Sequence, residues 1–156
     1  MKRLEMRTVS GALPGGVALG TMLFGTGIEE EKAFSLLEAH TRRPGAQIDT
    51  ARSYASWLPG GAGKSERTIG KWLKTAGREC REQLFLGTKG CLMPRGYNPS
   101  RGDLSPERIR RELEESLEGL PDPGGRCLCG SPGTAAHIRQ SDPVWLWHMY
   151  AGAVGR

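Results

Sequence analysis

Ile48-Asp49-Thr50-Ala51-Arg52-Ser53-Tyr54 is the stretch whose reading decides the fold of this chain. The apolar run from Ala46 to Ile48 has the length of a buried strand. It ends on a carboxylate, and a tyrosine follows five residues later on what must be the next loop. A carboxylate at the end of a buried strand is costly unless something pairs with it. Lys89 closes a second apolar run, Gln83-Leu84-Phe85-Leu86-Gly87-Thr88-Lys89, in the same way. Parallel strands lying side by side would bring Asp49, Tyr54 and Lys89 together at their carboxyl ends. That is the end where α/β proteins keep their chemistry.

Upstream, Val17-Ala18-Leu19-Gly20-Thr21-Met22-Leu23-Phe24-Gly25 is a further strand candidate of a type suited to full burial. Residues 1–16, with Ser10-Gly11 and Pro14-Gly15-Gly16, suggest a short β-hairpin. Glu29 to His40 is predicted helical: Phe34 and Leu37 share a face, and three glutamates sit at its favourable N-terminal end. His40 there is explained by an imidazole near a helix C-terminus. Downstream of Tyr54, Ser65 is the expected N-cap of a helix carrying Ile69, Trp72 and Leu73 on one stripe and ending near Gly77. That spacing assigns Trp72 to the core. Ser105-Pro106-Glu107 starts a third helix, with Ile109, Leu113 and Leu117 in line.

The loop Leu58-Pro59-Gly60-Gly61-Ala62-Gly63-Lys64 ends like a phosphate-binding loop. Leu58 and Pro59 stand where that pattern needs its first glycine, so it reads as a flexible loop at the mouth of a site. Three successive βα units imply parallel strands with right-handed crossovers. A dinucleotide fold would continue Gly25-Thr26-Gly27 to a third glycine. Ile28-Glu29-Glu30 follows instead, and acids would stand where phosphate docks. A partial (β/α)8 barrel is the better reading.

These residues resemble the aldo-keto reductase family. The likeness lies in Leu19-Gly20-Thr21-Met22 with Phe24-Gly25, in Ile48-Asp49-Thr50-Ala51 with Tyr54, in Ser65-Glu66 with Ile69-Gly70, and in Thr88-Lys89-Gly90. It continues through Leu104-Ser105-Pro106-Glu107 to Leu120, so it spans roughly residues 3–120. The resemblance implies a (β/α)8 barrel that reduces small carbonyl compounds with NADPH, using an Asp, Tyr, Lys and His tetrad. It makes Tyr54 the proton donor and Lys89 the ammonium that lowers the phenol's pKa. It makes Asp49 the carboxylate that holds Lys89. Gly20, Thr21 and Met22, with Asp49, would line the nicotinamide end of the cofactor pocket.

The likeness ends at Leu120. The family's Asp-to-His strand should follow, with its histidine near Ser131. The chain reads Pro121-Asp122-Pro123-Gly124-Gly125-Arg126 there, and His137 and His148 come later. Residues 121–156 are expected to be an unrelated, disordered tail. A change of reading frame after Leu120 would explain it, and would leave a truncated, weakly active or inactive reductase. Cys127-x-Cys129 with His137 and His148 does not match common zinc spacings, so no metal is expected.

Composition limits the alternatives. The net charge of +5 is spread without a basic tail, which argues against nucleic acid as partner. No membrane-length apolar run and no signal peptide are read, so a cytoplasmic protein with free thiols is expected. A second possibility is a non-catalytic fragment that joins a partner protein through an open sheet edge.

Overall fold

In the computed structural model of the chain, which describes residues 16–90, 106–120 and 128–129, the run after Ala46 forms strand β2, Gln47–Asp49. On one side lies β1, Ala18–Gly20, and on the other β3, Phe85–Thr88. Beyond β3 comes β4, Leu128–Cys129. The sheet order is β1-β2-β3-β4 and every pair is parallel. Parallel neighbours need long crossovers, and helices supply them. These are α1 (Glu30–His40), α2 (Lys64–Glu82) and α3 (Pro106–Gly119).

Side chains alternate across a strand, so the sheet has two unlike faces. Ile48 and Leu86 are buried in one cluster with Leu37, Ile69, Trp72, Leu73 and Leu84, and Leu120 joins them after α3. Trp72 is 2% exposed, as the helical spacing predicts. On the opposite face the register places Gly20, Asp49 and Gly87 in one row. Asp49 is therefore flanked across the sheet by two glycines, neither of which places a side chain beside it.

Four features differ from the sequence-based expectation. The first strand is short and is an edge strand of the described sheet, with Val17 76% exposed. After Gly20 the chain leaves the sheet in turns closed by Phe24 N–H to Thr21 O and Gly25 N–H to Ile28 O, which tuck Phe24 into the core.

Helix α2 begins at Lys64, with Gly63 at its N-cap in the left-handed region, and not at Ser65. It also runs past Gly77 to Glu82, kinked where Gly77 adopts φ 82°, ψ 172°. The stretch after Leu58 is not loose: successive turns hold it, with Gly61 N–H to Leu58 O at 3.0 Å and Gly63 N–H to Arg52 O at 2.8 Å.

Finally, β4 places a strand within the residues read as an irregular tail, paired with Gly87 and Thr88. Ladder bonds are made by backbone groups, so two residues can pair without any side-chain pattern that a sequence would reveal. The expected N-terminal hairpin over residues 1–16, apart from Gly16, lies outside the described residues, as do His137, His148, Cys127 and most of residues 121–156.

Candidate active site

Asp49 is the last residue of β2, and Lys89 follows the last residue of β3. Thr88 faces the helices, so the next side chain falls on the Asp49 side of the sheet. The chain turns at once after Thr50, with Tyr54 N–H bonded to Ala51 O, and this returns Tyr54 to the strand end it has just left. The three predicted residues meet. Lys89 Nζ donates to Asp49 Oδ1 at 2.5 Å, and Tyr54 OH donates to Asp49 Oδ2 at 2.7 Å. The ammonium lies 4.7 Å from the centre of the Tyr54 ring, over its face.

This geometry changes one expectation. The resemblance makes Lys89 the cation that lowers the pKa of the phenol, yet Tyr54 is held well above the ordinary tyrosine range. Burial is the main cause, followed by the hydrogen bond to Asp49 and the charge of that carboxylate. A phenolate here would stand against a carboxylate, while the Lys89 ammonium is already engaged by Asp49. Tyr54 is protonated at neutral pH, as an ordinary tyrosine is, and the contact with Asp49 makes it a weaker acid for as long as that contact is held.

A second layer of buried polar groups sets the strand ends, and sequence reading missed it. Thr21, Thr50 and Ser65 are each at most 1% exposed. The Ser65 hydroxyl lies 2.8 Å from both threonine hydroxyls and donates to Thr21 O at 2.8 Å. Thr21 reaches Asp49 O through its N–H at 3.1 Å and its hydroxyl at 3.0 Å. The start of α2 is thereby tied to the ends of β1 and β2.

Glu66 ties α2 to β3, because Thr88 Oγ1 donates to Glu66 Oε1 at 2.6 Å. Burial pushes the Glu66 carboxyl above its usual range. The Thr88 and Ser116 hydroxyls and the Arg52 and Arg67 guanidinium groups oppose that shift, although Ser116 falls short of good hydrogen-bond geometry. Arg52 closes the layer: its N–H bonds Lys89 O at 3.0 Å and its guanidinium pairs with Glu115 of α3 at 2.5 Å. The only sequence signal was the run Ser65-Glu66, which also fits an ordinary helix start.

The residues expected at the cofactor are placed unevenly. Gly20, paired with Asp49, has open space where a Cβ would stand, and Met22 is 46% exposed. The Thr21 side chain turns inward, where its hydroxyl is already bonded. His40 lies elsewhere, with Nε2 2.8 Å from Gln47 O. Among the described residues no cluster of metal-binding side chains occurs, and no helix is long and apolar enough to cross a membrane.

Comparison with known proteins gives a consistent picture. A model of the aldo/keto reductase family matches residues 16–121, more than half of the chain. Uncharacterized oxidoreductase YrpG of Bacillus subtilis is 39% identical over 108 residues, which are 67% of this chain and 32% of that protein. An uncharacterized 11.2 kDa protein from the crtE 3′ region of Pseudescherichia vulneris is 40% identical over 74 residues, 47% of this chain and 71% of that one. In structure, an aldo-keto reductase from Klebsiella pneumoniae in complex with NADPH superposes with a TM-score of 0.53 at 22% identity. That match covers 86% of this chain and 42% of the other. The described sheet and helices are thus part of a (β/α)8 barrel, and the chain spans about a third of the B. subtilis relative.

Proposed function

Because the chain belongs to the aldo/keto reductase family, we propose that it carries the proton-donating part of an NADPH-dependent carbonyl reductase, with Tyr54 as the acid. The observation that carries this reading is the Asp49 carboxylate accepting from both Lys89 and Tyr54 at the strand ends. The substrate is a small aldehyde or ketone whose oxygen takes the place of Asp49 as partner of the phenol. The nicotinamide is assigned to the side of Gly20, where a Cβ would meet nothing within 4 Å. NADPH, when bound, supplies the hydride for the carbonyl carbon.

The chain's own residues manage the proton. Tyr54 lets go of Asp49 and gives its proton to the carbonyl oxygen as the C=O electron pair moves onto that oxygen, so that an alcohol leaves. The phenolate left behind needs a cation, and Lys89, already over the ring face, is the nearby one. Asp49 holds Lys89 there throughout. Solvent returns the proton to Tyr54.

The chain by itself is proposed to bind NADPH weakly and to turn over slowly. This rests on the absence of a histidine near Ser131. Carbonyl-dependent consumption of NADPH by the purified chain tests both statements. A slow rate that Tyr54→Phe reduces to background is expected. No carbonyl-dependent rate, or one that Tyr54→Phe leaves unchanged, contradicts the assignment. Tight NADPH binding in a fluorescence titration contradicts the weak-binding part alone.

A further inference from the structure

The loop that carries Tyr54 is closed and braced. Its neck is the bond from Gly63 N–H to Arg52 O at 2.8 Å. Within it, Leu58 N–H bonds Ala55 O at 2.9 Å, Gly61 N–H bonds Leu58 O at 3.0 Å and Lys64 N–H bonds Gly61 O at 2.9 Å. Two backbone features stand out. Ala55, next to Tyr54 and 1% exposed, has φ +56°, and among the described residues no other non-glycine has a positive φ. Alanine enters that region at a steric cost, and such outliers persist where the surroundings enforce them. Gly61 lies against Ala55: a Cβ on Gly61 would stand 2.0 Å from Ala55 O and 3.1 Å from Leu58 O. Gly61 is needed for closeness, since the chain crosses the Ala55 carbonyl where only a bare Cα fits.

We infer that the crossing of Gly61 over Ala55 is a positioning device, which fixes the backbone beside Tyr54 so that the phenol meets Asp49. The inference deepens the reading of Tyr54 as proton donor and rests on it, but its test needs neither NADPH nor turnover. The contact is backbone against backbone, so no rotamer change relieves a side chain placed there. Gly60 is the natural control: it has φ +66°, yet a Cβ there meets nothing within 4 Å. Gly60→Ala thus brings left-handed strain into the same loop without forcing the crossing open.

The readout is the titration of the Tyr54 phenol, whose charged neighbours are Asp49 and Lys89. The chain has three tyrosines, Tyr54, Tyr97 and Tyr150, so Tyr54→Phe assigns the signal. In the full chain, carbon-13 tyrosine NMR should show Tyr54 titrating above its ordinary value of about 10. Gly61→Ala is expected to lower that midpoint toward about 10 while the far-ultraviolet helix signal is kept. Gly60→Ala is expected to leave the midpoint in place. The inference is overturned if Gly61→Ala leaves the midpoint where it was, or if Gly60→Ala lowers it equally. Loss of the helix signal in Gly61→Ala also overturns it, because the crossing would then serve the whole fold and not the phenol.

Discussion

A buried carboxylate is tolerated only with partners, and Glu66 shows how few this fold supplies. At 1% exposure it has Thr88 as a good hydrogen-bond donor and Arg52 and Arg67 as nearby charges. Its pKa is raised, so the folded state favours the protonated form. The associated stability is present below the ordinary glutamate value of about 4.3 and is lost as pH rises through the higher folded value. Glu66→Gln keeps an acceptor for Thr88 and removes the charge. Its thermal midpoint at neutral pH is expected to equal or exceed that of the parent. Glu66→Ala leaves the Thr88 hydroxyl without its acceptor beside a void, and should cost about 2 kcal/mol in denaturant unfolding. Equal losses in both variants would show that the charge is what the site requires.

At the scale of elements, α2 joins the core to the site. One end of it presents Ser65 and Glu66 to the strand ends, and further along Ile69, Trp72 and Leu73 enter the core. Trp72→Ala is expected to cost about 3–5 kcal/mol in denaturant unfolding. Gly77 makes a sharper prediction. An ordinary mid-helix Gly→Ala change stabilises by about 1 kcal/mol. Gly77, at φ 82° and ψ 172°, occupies a region essentially confined to glycine. Gly77→Ala should therefore destabilise by about 1–3 kcal/mol, although no atom stands in the way of the new methyl. A rise in thermal midpoint would mean that the kink straightens at little cost.

What the sequence showed of this architecture follows from the same physics. Apolar spacing revealed α1, α2 and the core position of Trp72, because helical period is a property of side chains. The convergence of Asp49, Tyr54 and Lys89 was legible because ionised groups at strand ends require partners. The hydroxyl cluster of Thr21, Thr50 and Ser65 was not legible, since a serine that opens a helix looks the same whether it caps that helix or ties it to two strands. Nor was β4, whose pairing is made by backbone alone.

At the scale of the whole molecule, the four parallel strands and their helices form part of a barrel, with β1 and β4 at the edges of the described sheet. The account depends on how charge is shared at the rim of that part. Tyr54 binds its proton more tightly when folded, so unfolding releases a proton between the ordinary and the raised value. Stability should therefore fall as pH rises above about 10, and less steeply in Tyr54→Phe. Equilibrium unfolding at a series of alkaline pH values checks this. The most direct measurement is the titration of the Tyr54 phenol in the parent chain and in Asp49→Asn. A midpoint above about 10 in the parent, falling part of the way back when the Asp49 charge is removed, is the predicted result. A parent midpoint below about 10 would mean that Lys89 governs the phenol and that the shared carboxylate does not.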